Sequence, residues 1–153
     1  MIALAEGEVR LACEADTERL GRAIARELRP SEAVCLSGPL GAGKSTLARA
    51  LIRTLAGSDV EAPSPTFTLV QTYDTRRFPV SHFDLYRLES VDEVFELGLD
   101  EALDDGAAVI EWPEKLGHHL PPNRLDVELT IDGLGRRARL SPHGAWEDRP
   151  IEF

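Results

Sequence analysis

Two continuous apolar runs, Ala33-Val34-Cys35-Leu36 and Ala107-Ala108-Val109-Ile110, set the frame of this chain. Runs of this kind form strands buried on both faces, as in parallel sheets. Elsewhere the apolar positions alternate or recur at helical spacing. Val9, Leu11 and Cys13 alternate with polar or small residues and predict a short first strand. Asp16-Thr17-Glu18 then opens a helix with Leu20, Ile24 and Leu28 as its buried stripe and Pro30 at its exit. After the first apolar run, Leu47, Leu51 and Leu55 recur at helical spacing until Ala56-Gly57-Ser58 stops the helix. Phe67 to Tyr73 and Phe78 to Asp84 are β-rich runs on either side of Asp74-Thr75-Arg76-Arg77 and predict a hairpin. Pro79 cannot donate to a ladder, which confines it to an edge or a bulge. Ser90-Val91-Asp92-Glu93 is a capping box opening a short helix that Gly98 closes. Leu125, Val127, Leu129 and Ile131 alternate strictly with polar residues, and Asp132-Gly133-Leu134-Gly135 turns this half-solvated strand into Arg136 to Leu140 as a second hairpin.

These elements sum to an α/β fold: a P-loop NTPase-like, mostly parallel sheet flanked by helices and widened by antiparallel hairpins. At 153 residues the chain is large enough to bury a core as one domain. The predicted domain is 1–141. Residues 142–153, rich in proline and charge, are expected to be a loosely packed tail. No internal repeat or low-complexity segment interrupts the chain.

The composition narrows the function classes. A formal net charge of -10 makes the chain a poor stand-alone binder of DNA, RNA or an anionic membrane, because cationic contacts to phosphate dominate such affinity. Any service to RNA is expected to pass through a partner. Cys13 and Cys35 lie in separate strand-like stretches without metal spacing and are expected to be buried free thiols. The first residues carry no basic region or sufficient apolar run for a signal peptide, and no stretch approaches a membrane span. A cytoplasmic protein is the expectation.

The most specific stretch lies between the first apolar run and the helix that follows it. Gly38-Pro39-Leu40-Gly41-Ala42-Gly43-Lys44-Ser45-Thr46 fits the phosphate-loop spacing, in the strand-loop-helix context that gives the match meaning. Glycines let peptide N–H groups close on a polyphosphate, and the helix N-terminus adds unpaired amides and partial positive charge. Lys44 would lie on the β- and γ-phosphates, and the Ser45 hydroxyl would ligate Mg²⁺.

A nucleotide hydrolase also needs carboxylates, and two lie at strand ends. Glu111 ends the second apolar run before a tight Trp-Pro exit, resembling a Walker B strand; Asp84 closes the first hairpin in His82-Phe83-Asp84-Leu85-Tyr86-Arg87-Leu88. Either acid could instead be a solvated strand-end group. Thr66, in the proline-stiffened loop Glu61 to Thr66, sits where a switch loop would read a γ-phosphate, and a plain connector has the same composition. Arg87 could stabilise transition-state charge or serve as a surface ion-pair partner. His82 reads as a structural strand histidine rather than a base, and His118-His119 as a loop pair without ligand spacing. Asn123-Arg124-Leu125-Asp126 and Asp132-Gly133-Leu134-Gly135 stand in the reverse of their order in regulatory GTPases, and a small-molecule kinase would need a lid insertion that this short chain lacks.

Gly-Pro-Leu-Gly-Ala-Gly-Lys-Ser-Thr, Ser-Pro-Thr-Phe-Thr-Leu-Val, His-Phe-Asp-Leu-Tyr-Arg-Leu and Glu-Trp-Pro, in that order, closely resemble the TsaE (YjeE) family over about residues 10–140. The resemblance implies an ATPase of bacterial tRNA threonylcarbamoyladenosine formation with weak intrinsic hydrolysis. It also implies ATP and Mg²⁺ and assembly with TsaD and TsaB; with the net charge of -10, contact with tRNA is then expected only through that complex. Carried over by match, Leu40, Gly41, Ala42, Gly43, Lys44, Ser45 and Thr46 hold the phosphates, and Ser45 and Glu111 lie at Mg²⁺. Thr66 resembles a switch residue, Asp84 belongs with Lys44 to the catalytic apparatus, and Glu14 and Gly135 align with nucleotide contacts outside the loop. Ser45 stands where many members have Thr, which keeps the ligating hydroxyl. An ATP-dependent interaction switch that does not require hydrolysis, and a small-molecule kinase, remain alternative readings.

Overall fold

The two apolar runs become neighbours at the centre of the molecule. In the computed structural model, which describes residues 3–4 and 7–153, β3 (Ala33–Ser37) pairs in parallel with β6 (Ala107–Glu111). Around them runs a 7-stranded sheet in the order β2-β8-β7-β3-β6-β5-β4. Here β2 is Gly7–Leu11, β4 Val70–Tyr73, β5 Val80–Asp84, β7 Arg124–Asp132 and β8 Gly135–His143. The strands β7, β3, β6 and β5 are mutually parallel, and β4, β8 and β2 add antiparallel pairs at the two edges. That is the predicted α/β architecture, with both hairpins in place.

Alternation along the strands sorts side chains to two faces. One face, with Val34, Leu36, Val80, Val109, Val127 and Leu129, packs on α1 (Glu14–Glu27) and α2 (Lys44–Ala56) in one large core. The other, with Cys35, Phe83 and Ile110, packs on α3 (Asp92–Glu96), α4 (Leu99–Asp105) and the 3₁₀ segment Pro113–His119. The expected helical stripe Leu20, Ile24 and Leu28 is wholly buried.

Several local expectations are corrected. Cys13 is exposed and caps the start of α1, where the chain has already left β2; only Cys35 is buried. Strand β4 begins at Val70 rather than Phe67, because Thr66 to Thr68 form a turn and Leu69 takes a left-handed φ of 70°. In the 90–93 box only one arm forms: the Glu93 carboxylate accepts the Ser90 and Glu89 N–H groups at 3.2 Å. Gly98, with φ 91°, ends α3 but also opens α4, a helix that the acidic run Asp100 to Asp105 does not advertise by periodicity. The Asn123 side chain accepts the Ala145 N–H, and Asp126 pairs with Arg124 and His143, so that segment is accounted for structurally.

The largest correction concerns residues 142–153, which are packed rather than loose. A 3₁₀ turn, Gly144–Trp146, drives Trp146 into the core with no exposed surface, and Ile151 follows it. Strand β9 (Ile151–Glu152) pairs antiparallel with β1 (Ala3–Leu4). Arg149, only 8% exposed, meets the Glu32 carboxylate with both terminal nitrogens at 2.7 and 2.8 Å, and its guanidinium lies 4.6 Å from the Trp146 ring. Charge and proline in this stretch signal solvent by composition, but the charge is consumed inside the fold. Trp146→Ala should cost about 3–5 kcal/mol in urea unfolding, the usual toll of emptying a large core site. An unchanged midpoint would mean that the C-terminal segment contributes no core.

Candidate active site

The apolar strand β3 ends at Ser37, and the chain must reverse into α2 within six residues, Gly38 to Gly43. Gly38 makes the first bend at φ 135°, pressed so tightly on β7 that a Cβ there would lie 2.2 Å from the Leu129 carbonyl oxygen. Gly43, at φ 105°, delivers the chain into the first turn of α2 with that turn's N–H groups open. Lys44 folds back over this loop: Nζ donates to the Gly38 carbonyl and, at 3.0 Å, to the Pro39 carbonyl, and sits 4.2 Å above the Trp112 ring. Burial lowers its pKa, against the opposing pull of Glu111, Glu114 and Asp84.

Facing the loop are two carboxylates. Asp84 and Glu111 occupy register-matched positions at the ends of β5 and β6 and are 4% and 2% exposed. Hydroxyls knit them together. Ser64 Oγ lies 2.8 Å from Asp84 Oδ2 and 3.0 Å from Glu111 Oε2, and Thr66 Oγ1 donates to Asp84 Oδ2 at 3.2 Å. The other Asp84 oxygen accepts the Tyr86 N–H at 3.0 Å. Ser45 Oγ approaches Glu111 Oε1 at 3.3 Å, and His82 Nε2 approaches Oε2 at 2.6 Å. Burial acts to raise the Glu111 pKa, but the bond and charge of His82, with the Ser64 and Ser45 hydroxyls, hold it below the usual value. Trp112 follows in a left-handed turn, φ 61°, which swings its ring over Lys44 and against Tyr86 at 4.9 Å. Such backbone strain in a non-glycine residue concentrates at working sites.

These groups enclose a cavity of about 380 Å³ lined by Gly41, Lys44, Ser45, Thr66, Asp84 and Glu111 among others. A second, of about 270 Å³, opens on the other side of the loop; Glu14, Thr17, Leu134 and Gly135 line it, and Gly41, Gly43 and Thr46 are common to both. The predicted residues therefore line two cavities that share the loop: Lys44, Ser45, Thr66, Asp84 and Glu111 in the first, Glu14 and Gly135 in the second. Leu40 is an exposed lip, whereas Ala42 is fully buried beneath the loop. Arg87 does not join them, its guanidinium stacking 4.5 Å from the exposed Phe67 ring.

Sequence reasoning did not single out Ser64 or Arg136, and it set His82 aside as a structural strand histidine. Ser64 stood one proline from Thr66 and His82 two residues from Asp84, a spacing that puts both on one strand face and could have exposed the histidine. Arg136, whose Nε donates to the Gly41 carbonyl at 3.0 Å, carried no local signal, since the hairpin that brings it there is long-range.

The oxygen pair of Ser45 and Glu111 suits a hard cation such as Mg²⁺, which takes few protein oxygens and fills its shell with phosphate and water. Among the described residues no group of three or more His, Cys, Asp or Glu is placed to hold a metal ion. No described helix is long and apolar enough to cross a membrane.

The sequence model of the family described as "Threonylcarbamoyl adenosine biosynthesis protein TsaE" matches residues 11–139. The chain belongs to the TsaE family. Its place is thus in tRNA threonylcarbamoyladenosine biosynthesis. The tRNA threonylcarbamoyladenosine biosynthesis protein TsaE of Aquifex aeolicus is 41% identical over 133 residues, covering 86% of this chain and 91% of that one. The Rickettsia felis protein of the same name is 42% identical over 118 residues, 77% of this chain and 69% of its own. In fold, the crystal structure of Bacillus subtilis YdiB superposes with a TM-score of 0.75 at 22% identity, over 97% of this chain and 92% of that one.

The loop geometry separates its glycines. A Cβ on Gly41 would meet nothing within 4 Å, so Gly41→Ala should cost only its φ of 82°, about 1–2 kcal/mol. Gly38→Ala adds a backbone clash and should unfold at clearly lower urea. Equal midpoints for the two variants would contradict the close seat of Gly38 on β7.

Proposed function

We propose that this TsaE-family chain binds ATP with Mg²⁺ in the two cavities flanking the phosphate loop and hydrolyses it, slowly alone and faster with TsaD and TsaB. The observation that carries this reading is the placement of Asp84 and Glu111, hydroxyl-linked, directly opposite the first turn of α2. The loop amides and Lys44 would take the phosphates, Lys44 exchanging the Gly38 and Pro39 carbonyls for phosphate oxygens. Ser45 and Glu111 would hold the cation, which when bound spreads phosphate charge. Asp84, the register neighbour of Glu111, would orient the attacking water and accept its proton, with Ser64 and Thr66 fixing its rotamer. On the far side Glu14 and Gly135 would border the remainder of the nucleotide.

Trp112 gives the reading a direct signal. ATP with Mg²⁺ should change its emission as Lys44 leaves the ring, and the change should persist in Trp146→Phe. Lys44→Ala should stay folded, since its amine's hydrogen bonds go to carbonyls of its own loop and its stem adds nothing to the two hydrophobic cores, and lose turnover by about 100-fold or more. Wild-type turnover in a folded Lys44→Ala protein sinks the assignment.

The two acids should divide the work. Glu111→Ala should weaken nucleotide binding only where Mg²⁺ is present, and Asp84→Ala should lower single-turnover rate more than affinity. Reversed profiles would exchange the roles. Phosphate release with and without TsaD and TsaB then separates a partner-driven ATPase from a switch that only needs nucleotide state. Phosphate appearing on an added metabolite would instead favour a kinase.

A further inference from the structure

His82 lies in the middle of β5, two residues before Asp84 and on the same face. Parallel register sets it beside Val109 of β6, so that Glu111, two residues on, is its diagonal neighbour. Its side chain is 1% exposed, and Nε2 stands 2.6 Å from Glu111 Oε2. A carboxylate oxygen facing it can only accept, so the hydrogen lies on Nε2. The opposite nitrogen, Nδ1, is buried with no partner among the described residues. Buried polar atoms are normally hydrogen-bonded; this histidine leaves one nitrogen without a partner and spends its one bond on the carboxylate.

The Ser64 hydroxyl sharpens the point. It has one proton for two carboxylates and lies closer to Asp84, 2.8 against 3.0 Å. Glu111 Oε2 therefore depends on His82 for its short donor, while Oε1 faces only Ser45 Oγ at 3.3 Å.

We propose that His82 is a positioning residue: by donating Nε2–H to Oε2 it holds Glu111 so that Oε1, beside the Ser45 hydroxyl, is the oxygen presented to the cation. This rests on the ATP–Mg²⁺ reading above. Partners behind a ligating group fix its orientation, and losing one typically costs 10–100-fold in metal affinity.

Three measurements on the whole chain test it. In the wild type with ¹⁵N-labelled histidine, the His82 imidazole should show a proton on Nε2 that exchanges slowly with solvent. A proton carried only on Nδ1 overturns the proposal, whatever the nucleotide does. Mg²⁺ titrations followed by Trp112 emission with ATP present should show His82→Leu weakened at least about ten-fold in metal affinity, with metal-free ATP affinity unchanged. His82→Gln, whose amide nitrogen can reach the place of Nε2, should recover most of the loss. Equal metal affinity in wild type and a folded His82→Leu protein, or equal losses in the Leu and Gln variants, refutes positioning. If the wild type itself fails to bind ATP, the functional reading falls, and the imidazole spectrum still decides whether His82 holds Glu111.

Discussion

Two carboxylates held side by side in a protein interior form the constraint around which this molecule is arranged. Asp84 and Glu111 are register neighbours on β5 and β6 and almost wholly buried, where like charges repel and hydration is lost. The surroundings replace the missing water. Ser45, Ser64, Thr66 and the Tyr86 amide supply donors, His82 supplies a short one, and Lys44 supplies opposite charge. These donors come from three separate segments, the head of α2, the proline loop and the stretch from His82 to Tyr86, and they tie the ends of the two strands into one unit with them. Such a cluster sits at the carboxyl ends of parallel strands, where open α/β sheets bind ligands.

The scaffold makes this possible through register rather than through special residues. Because β3, β6 and β5 run parallel and in step, the phosphate loop, Glu111 and Asp84 emerge at the same level from three adjacent strands. The loop is then held from the opposite side, by Gly38 against Leu129 of β7 and by Arg136 of β8 on the Gly41 carbonyl. Displacing the hairpin β7–β8 would release the loop although no residue of the site had changed. The C-terminal segment adds to this through Arg149, which bridges Glu32 just before β3 and the Glu27 carbonyl at the end of α1.

Patterns of burial were legible wherever one face or both faces of an element were uniform. The apolar runs became β3 and β6, the strict alternation from Leu125 became β7, and the glycine loop lay where its flanks put it. Ile131 departs from its alternation, half exposed at the hairpin tip where the sheet ends. What sequence could not carry was pairing between distant segments. Residues 142–153 read as solvent-exposed because the acid that Arg149 meets, Glu32, lies over a hundred positions away, and because a lone Trp146 in a charged stretch does not show that it enters the core. His82 read as packing because its importance depends on which face of β5 it shares with Asp84, and on the register that brings Glu111 diagonal to it. Composition reports what a residue prefers; register decides what it meets.

The same distinction governs the charge. The open face of β2, β8 and β7 carries arginines that could suggest an RNA surface. Arg10 and Arg137 bond Asp132, Arg139 grips Glu8 with two nitrogens, and Arg124 bonds Asp126. Each guanidinium is thus already turned toward an acid of its own sheet. A phosphate backbone approaching this face would have to displace those acids and overcome a formal net charge of -10. Exposed pairs are individually weak, but exchanging one anion for another gains little, whereas the net repulsion stays. Nucleic-acid affinity comes from cations that release counterions on binding, and these are engaged before any RNA arrives. The face of β2, β8 and β7 is therefore a poor surface for holding a phosphate backbone directly.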